Sequence, residues 1–172
     1  SVTQLETACG DVGIICDSSD INNLPPGIYS SPKRVTFNGA DYAFRANSNY
    51  VFLINGDLDI NTNITVPVGS TAIFIVSGEI TVADNVRNIQ GIYSANENFI
   101  VADPPGPGPD EQLVIEGSVV ANAGRTSFTF TNGRTLANND TTPAVQFIYR
   151  PDFILNSPEL LRFSNYSIKE VA

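Results

Sequence analysis

Tyr50 to Val82 reads YVFLINGDLDINTNITVPVGSTAIFIVSGEITV and states one short pattern twice. Phe52-Leu53-Ile54-Asn55-Gly56-Asp57-Leu58-Asp59-Ile60 is followed by Phe74-Ile75-Val76-Ser77-Gly78-Glu79-Ile80-Thr81-Val82, and Leu113-Val114-Ile115-Glu116-Gly117-Ser118-Val119-Val120-Ala121 repeats it once more. Strand residues alternate faces, so Phe52, Ile54, Leu58 and Ile60 point inward while Leu53, Asn55, Asp57 and Asp59 do not. Gly56 lets the chain bend between the two inward pairs.

The glycines set a period. Gly56 and Gly78 lie 22 residues apart, and Gly78 and Gly117 lie 39 apart, close to two periods of roughly 20 residues. A degenerate copy is therefore expected between them, in Asn88-Ile89-Gln90-Gly91-Ile92-Tyr93 and Asn98-Phe99-Ile100-Val101. Short strands repeated at this spacing predict an all-β fold, a right-handed parallel β-helix or solenoid in which each coil buries its apolar face against the next. A β-sandwich also has short strands at this spacing, but its strands have no reason to resemble one another. Pro67 and Gly69 mark a corner between coils.

Residues 1–49 lack the glycine-centred repeat and read as an N-terminal cap or a subunit-contacting arm; residues 50–172 read as the solenoid domain. Within the first section, Gly27-Ile28-Tyr29 and Arg34-Val35-Thr36-Phe37 are strand signals, and Asn38-Gly39 is a turn signal. Two excursions leave the solenoid. Residues 103–110 hold four prolines and two glycines, which exclude helix and central strand. Residues 124–143 hold a strand signal over Ser127–Thr131 and a polar turn. After the strand Ala144–Arg150, Asn156–Phe163 carries a helix signal: Ser157 as N-cap, Pro158 at the first position and Glu159 in the first turn. Leu160, Leu161 and Phe163 are expected to cover the solenoid's open end and are the candidate subunit contacts, with Tyr166–Val171 closing the chain as an edge strand.

The 172 residues are enough for one domain with an adequate core. Polarity comes from Asn, Ser, Thr and Gly rather than charge: there are 18 Asn and only 2 Lys. A net charge of −9 argues against nucleic acid and anionic membranes as partners. No apolar run approaches the roughly 18 to 20 residues of a membrane helix, so no membrane insertion is expected. The sequence lacks Met, and Ser1 reads as a terminus left after a secretory signal is removed or as a fragment boundary. Cys9 and Cys16, the only cysteines, are expected to form a disulfide in an oxidising compartment; two free buried thiols are the alternative, and a metal site lacks His partners. Sequons at Asn63, Asn139 and Asn165 are candidate glycosylation sites of an exported protein.

Little catalytic chemistry is on offer. The absence of His removes the commonest general base and excludes Ser-His hydrolysis, and the expected disulfide removes the activated thiol. No cofactor is expected; calcium is the one metal with oxygen ligands to draw on, at Asp17-Ser18-Ser19-Asp20 or Asp57/Asp59, although neither matches a calcium-loop pattern. Asp57 and Glu79 follow equivalent glycines and should stack one coil apart, the spacing of a carboxylate pair on a glycan-cleaving β-helix. The acids vary between copies, however, and Ser118 replaces them in the third. Tyr29, Tyr42, Tyr50, Tyr93, Tyr149 and Tyr166 are the aromatics available to a glycan-binding face, while an ice-binding Thr array appears only once, at Thr129-Phe130-Thr131.

Taken in order, NGDLDINTNITVP (55–67), FIVSGEITV (74–82), QGIY (90–93), LVIEGSVVA (113–121), NNDTTPAVQFIYRPDFILNSPELL (138–161) and YSIKEVA (166–172) resemble the C-terminal, β-helix-like domain of large surface proteins of candidate-phyla bacteria, known mainly from environmental genomes. The resemblance spans about Tyr50 to Ala172. It implies an exported, surface-associated protein and brings no catalytic motif. The expected function is a non-enzymatic extracellular structural subunit that self-associates into a homopolymeric filament, tube or surface layer. A glycan-binding adhesin module and a carbohydrate-active enzyme are the alternatives.

Overall fold

Every strand pairing is parallel, and successive strands fall on three sides of a coil. The structure, a computed structural model, describes residues 1–9, 15–103, 110–121 and 129–157. The first side stacks β1 (Val2–Gln4), β3 (Gly27–Ser31), β6 (Asn49–Ile54), β9 (Thr71–Val76) and the second halves of β11 (Asn88–Ala95) and β13 (Leu113–Val120). The second side stacks β2 (Ile15–Asp17), β4 (Val35–Asn38), β7 (Leu58–Ile60), β10 (Ile80–Val82), β12 (Phe99–Val101) and β14 (Phe130–Asn132). The third stacks β5 (Tyr42–Ala43), β8 (Ile64–Thr65), the first halves of β11 and β13, and β15 (Val145–Ile148). The result is a parallel β-solenoid of about 4 turns. A sandwich would have required antiparallel pairs.

The alternation read from Phe52 to Ile60 holds. Phe52, Ile54, Leu58 and Ile60 are buried, and Leu53 and Asn55 face out. Equivalent inward residues stack along the axis: Tyr29 on Phe52 at 5.6 Å between ring centroids, Phe52 on Phe74 at 5.0 Å, and Phe74 on Tyr93 at 4.8 Å. Each such pair contributes roughly 0.5–1.5 kcal/mol beyond the area it buries. Phe37 and Phe44 fill the space beside this column. Pro67 and Gly69 form the expected corner, with the Ser70 amide donating to the Pro67 carbonyl at 3.0 Å and Gly69 at φ +86°.

The glycines divide into two columns. Gly56 and Gly78 occupy the same corner one coil apart, the Gly78 amide donating to the Gly56 carbonyl at 2.9 Å. They answer to close coil contact: a Cβ at Gly78 would lie 2.1 Å from Asp57 Oδ1. Gly117 pairs with Gly91 instead, at the corner between the third and first sides. Here both have positive φ, and a Cβ on Gly117 would lie 2.0 Å from the Gly91 carbonyl oxygen. The third copy of the repeat is thus shifted in phase, and the equivalent of Gly78 in the next coil is Glu97, whose amide donates to the Gly78 carbonyl.

Residue 49 does not divide the stack. β3, β4 and β5 make a coil paired along its length with β6, β7 and β8. Capping falls to a shorter piece, where α1 (Leu5–Cys9) and α2 (Ser18–Asn23) bring Leu5, Ile21 and Leu24 onto the core. Cys9 and Cys16 are joined by a disulfide with Cα atoms 4.8 Å apart. Cys16 aligns with Phe37, on the inward row, and is buried.

A short helix that the sequence did not signal follows β15. It is α3 (Pro151–Leu155), with Pro151 at its start and Asp152 in its first turn. Ser157 sits at its end, its hydroxyl donating to the Phe153 carbonyl at 2.8 Å. α3 lies against β9 on the solenoid's flank, where Thr71 Oγ1 donates to the Phe153 carbonyl at 3.3 Å. The helix signal from Pro158 on, Leu160, Leu161 and Phe163, the Tyr166–Val171 strand and most of the proline-rich excursion lie outside the described residues.

Candidate functional site

The outer face of the second side carries the acids that the sequence offers for chemistry. One residue before each inward apolar position, strand register places Arg34, Asp57, Glu79, Asn98 and Thr129 in a column. Arg34 Nη2 donates to Asp57 Oδ2 at 3.0 Å; Asp57 Oδ1 accepts the Glu79 amide at 3.0 Å. Glu79 Oε2 accepts from Asn98 Nδ2 at 3.0 Å, and Asn98 Oδ1 accepts the Thr129 amide at 3.1 Å. Asp59 takes the Thr36 hydroxyl at 3.3 Å and Arg34 Nε at 3.5 Å. Asp57, Asp59 and Glu79 therefore do come together as the glycine spacing implies, but each coil uses its acid to hold the next. Chemically, this is a hydrogen-bonded ladder along the corner, with carboxylates acting as acceptors for main-chain and side-chain donors.

The third side repeats the device with amides. Asn63 Oδ1 accepts the amides of Arg87 and Asn88 at 2.8 and 3.0 Å, and its Nδ2 donates to Asp41 at 3.0 Å. That engagement sets the Asn63 sequon apart from Asn139, which lies in an exposed turn; Asn165 lies outside the described residues. Further along, Gln90 Nε2 donates to Glu116 Oε1 at 2.9 Å, and Arg150 Nη1 reaches Glu116 Oε2 at 3.3 Å. Arg150 also grips Asp152 through two contacts of 2.7 and 2.8 Å and lies 4.3 Å from the Phe153 ring centroid, which pins α3 to the flank. The bond from Arg150 holds the Asp152 carboxyl below its ordinary pKa, and the same bond raises that of Arg150.

Arg134 was not singled out by the sequence. It is 2% exposed and donates to three main-chain carbonyls, of Ala83 at 2.6 Å, Glu111 at 3.0 Å and Ala102 at 3.4 Å. Burial lowers its pKa, and the nearby Asp110, Asp84 and Glu111 oppose that shift. One arginine among polar turns carries no spacing signature, so only the folded coils mark it out.

Asp17–Asp20 spans the junction of β2 and α2. Among the described residues no group of three His, Cys, Asp or Glu side chains is placed to hold a metal ion. None of the described helices is long and apolar enough to cross a membrane. Of the tyrosines, Tyr29, Tyr42, Tyr50 and Tyr93 are core residues, Tyr149 is 69% exposed, and Tyr166 lies outside the described residues.

The C-terminal end is the remaining candidate. Phe130 follows Phe99 in the inward row of the second side, and Phe147 follows Ile115 in that of the third. Phe99 and Ile115 are fully buried, whereas Phe130 and Phe147 are 36% and 52% exposed, their rings 5.5 Å apart. Core-type side chains are here left at the surface.

Comparison of the chain with protein-family models, with curated proteins and with solved structures finds no match.

Proposed function

We propose that this chain is a non-enzymatic structural module that works outside the cytoplasm and associates with a second copy of itself through its C-terminal end. The observation that carries this reading is the exposed pair Phe130 and Phe147, inward-row aromatics that a further coil would cover. Beside them β14 and β15 are the last strands of their ladders among the described residues, the kind of sheet edge on which another chain can pair. The Cys9–Cys16 disulfide favours an oxidising, extracytoplasmic setting, which agrees with surface association. Enzyme activity fits less well, because Asp57, Asp59 and Glu79 are engaged in the corner ladder. At the N-terminal end Leu5 and Ile21 cover the core, so the exposed aromatics by themselves join two copies as a pair, and a filament, tube or layer needs further contacts.

Sedimentation velocity across protein concentration, with electron microscopy at several salt and calcium levels, tests the proposal. The parent chain is expected to form dimers or larger assemblies, and Phe130→Asp with Phe147→Asp is expected to leave monomers. Monodisperse monomers of the parent chain under every condition would reject it.

A further inference from the structure

The outer face of the first side is divided in two. Where α3 lies, Ile73 and its neighbour Val51 are 6% and 4% exposed; two residues further along the same strands, Leu53 and Ile75 are 37% and 39% exposed. These two form the apolar floor of a groove of about 640 Å³ that runs across several coils from Gln4 to Asn96. Its rim is made of amides and hydroxyls, including Asn55, Ser77 and Ser94, and no ionisable side chain lines it. On a chain of net charge −9 such a neutral surface is a departure from the whole.

We propose that this groove binds a neutral polysaccharide. The volume falls within the roughly 300–1,000 Å³ typical of ligand clefts. The combination of an aliphatic floor and a rim of uncharged donors and acceptors matches a sugar chain, which presents apolar C–H faces and a belt of hydroxyls. Register places Asn55, Ser77 and Asn96 at equivalent corner positions in three successive coils, spaced by about 4.8 Å per coil, so a polymer with recurring hydroxyls meets the same chemistry at each step. Ser77 Oγ donates to Asn55 Oδ1 at 3.1 Å, so the bond fixes the Asn55 side chain through its oxygen and uses neither of its Nδ2 donors.

An extended peptide suits the groove less. β3, β6, β9 and β11 are interior strands of the nine-stranded sheet, paired with neighbouring coils on both sides over most of their length, so they offer no free edge for strand addition. Acidic polymers lack a cation in the groove to meet them and face the net negative charge.

Affinity electrophoresis of the full chain in native gels tests the site, using laminarin, dextran and galactomannan as neutral probes, with polygalacturonate and an apolar extended peptide as comparisons. At least one neutral polymer is expected to retard the parent chain, with no retardation by polygalacturonate. Ile75→Glu, and separately Asn55→Ala with Asn96→Ala, should weaken that retardation at least tenfold while far-UV circular dichroism stays unchanged; both changes lie at the surface. The proposal is overturned if no neutral polymer retards the chain, if the variants bind as the parent does, or if only the peptide competes for the groove. Phe130→Asp with Phe147→Asp should bind glycan normally, which separates this site from the end-on contact.

Discussion

At the N-terminal end, Leu5 and Ile21 from two short helices sit over the first coil and are 0% and 1% exposed, with the Cys9–Cys16 disulfide drawn across the same end. At the C-terminal end, Phe130 and Phe147 continue the inward rows yet stay open among the described residues. A stack of like coils has no stopping point of its own, since each coil is covered only by the next. The contrast shows what a stop consists of here: two helical turns and a covalent link that depart from the repeat.

The largest expected effect comes from making one change at each end. Leu5→Ala should cost about 3 kcal/mol in urea unfolding, as for a buried leucine, while Phe147→Ala should cost less than about 1 kcal/mol in the monomer because half of that ring is already in water. Equal costs would erase the distinction between the ends. Next, reducing the disulfide should lower stability by about 2 kcal/mol, seen as a lower urea midpoint with reductant than without. If the midpoint does not move, the helices alone close the N-terminal end.

The smallest effect concerns α3, which belongs to the C-terminal section but guards the flank. Asp152 has its folded pKa depressed by Arg150, so its contribution is fully present above the ordinary carboxylate pKa of about 4 and is lost as pH falls through the depressed value. Hydrogen-exchange protection at Phe153–Ser157 should therefore drop as pH is lowered below 4, by no more than about 1 kcal/mol for a partly exposed pair. Asp152→Asn should remove this pH dependence. Protection that stays level down to pH 2 in the parent chain would rule out the ion pair as the clamp.

The sequence was legible where neighbouring coils repeat. Phe52-to-Ile60 and Phe74-to-Val82 align residue for residue, and alternation alone identified their inward sets. It misled at Gly117, because a glycine demanded by positive φ at one corner and a glycine demanded by close approach at another look the same in sequence. The leading coil, residues 27–48, was obscure for a related reason: Pro32-Lys33 stands where later coils have Asn55-Gly56, and the backbone of Lys33 and Arg34 lies against Gly56. α1 and α2, at 5 and 6 residues, are too short to show periodicity and are held by burial of Leu5 and Ile21. Of the candidate site, the carboxylate column was readable, whereas its engagement coil to coil and the neutral groove depend on neighbours some 22 residues away.

Arg134 has a consequence for the order of folding. Its three acceptor carbonyls lie 23, 32 and 51 residues upstream, at Glu111, Ala102 and Ala83, so the guanidinium meets them together only after the coils around it have stacked in register. A coil that slipped would bury a cation without acceptors, a costly error. The side chain is therefore expected to act as a proofreading latch, closing late and only on the correct alignment. Arg134→Met should accordingly speed unfolding in stopped-flow measurements far more than it slows folding; an equal effect on both rates would place the latch early instead.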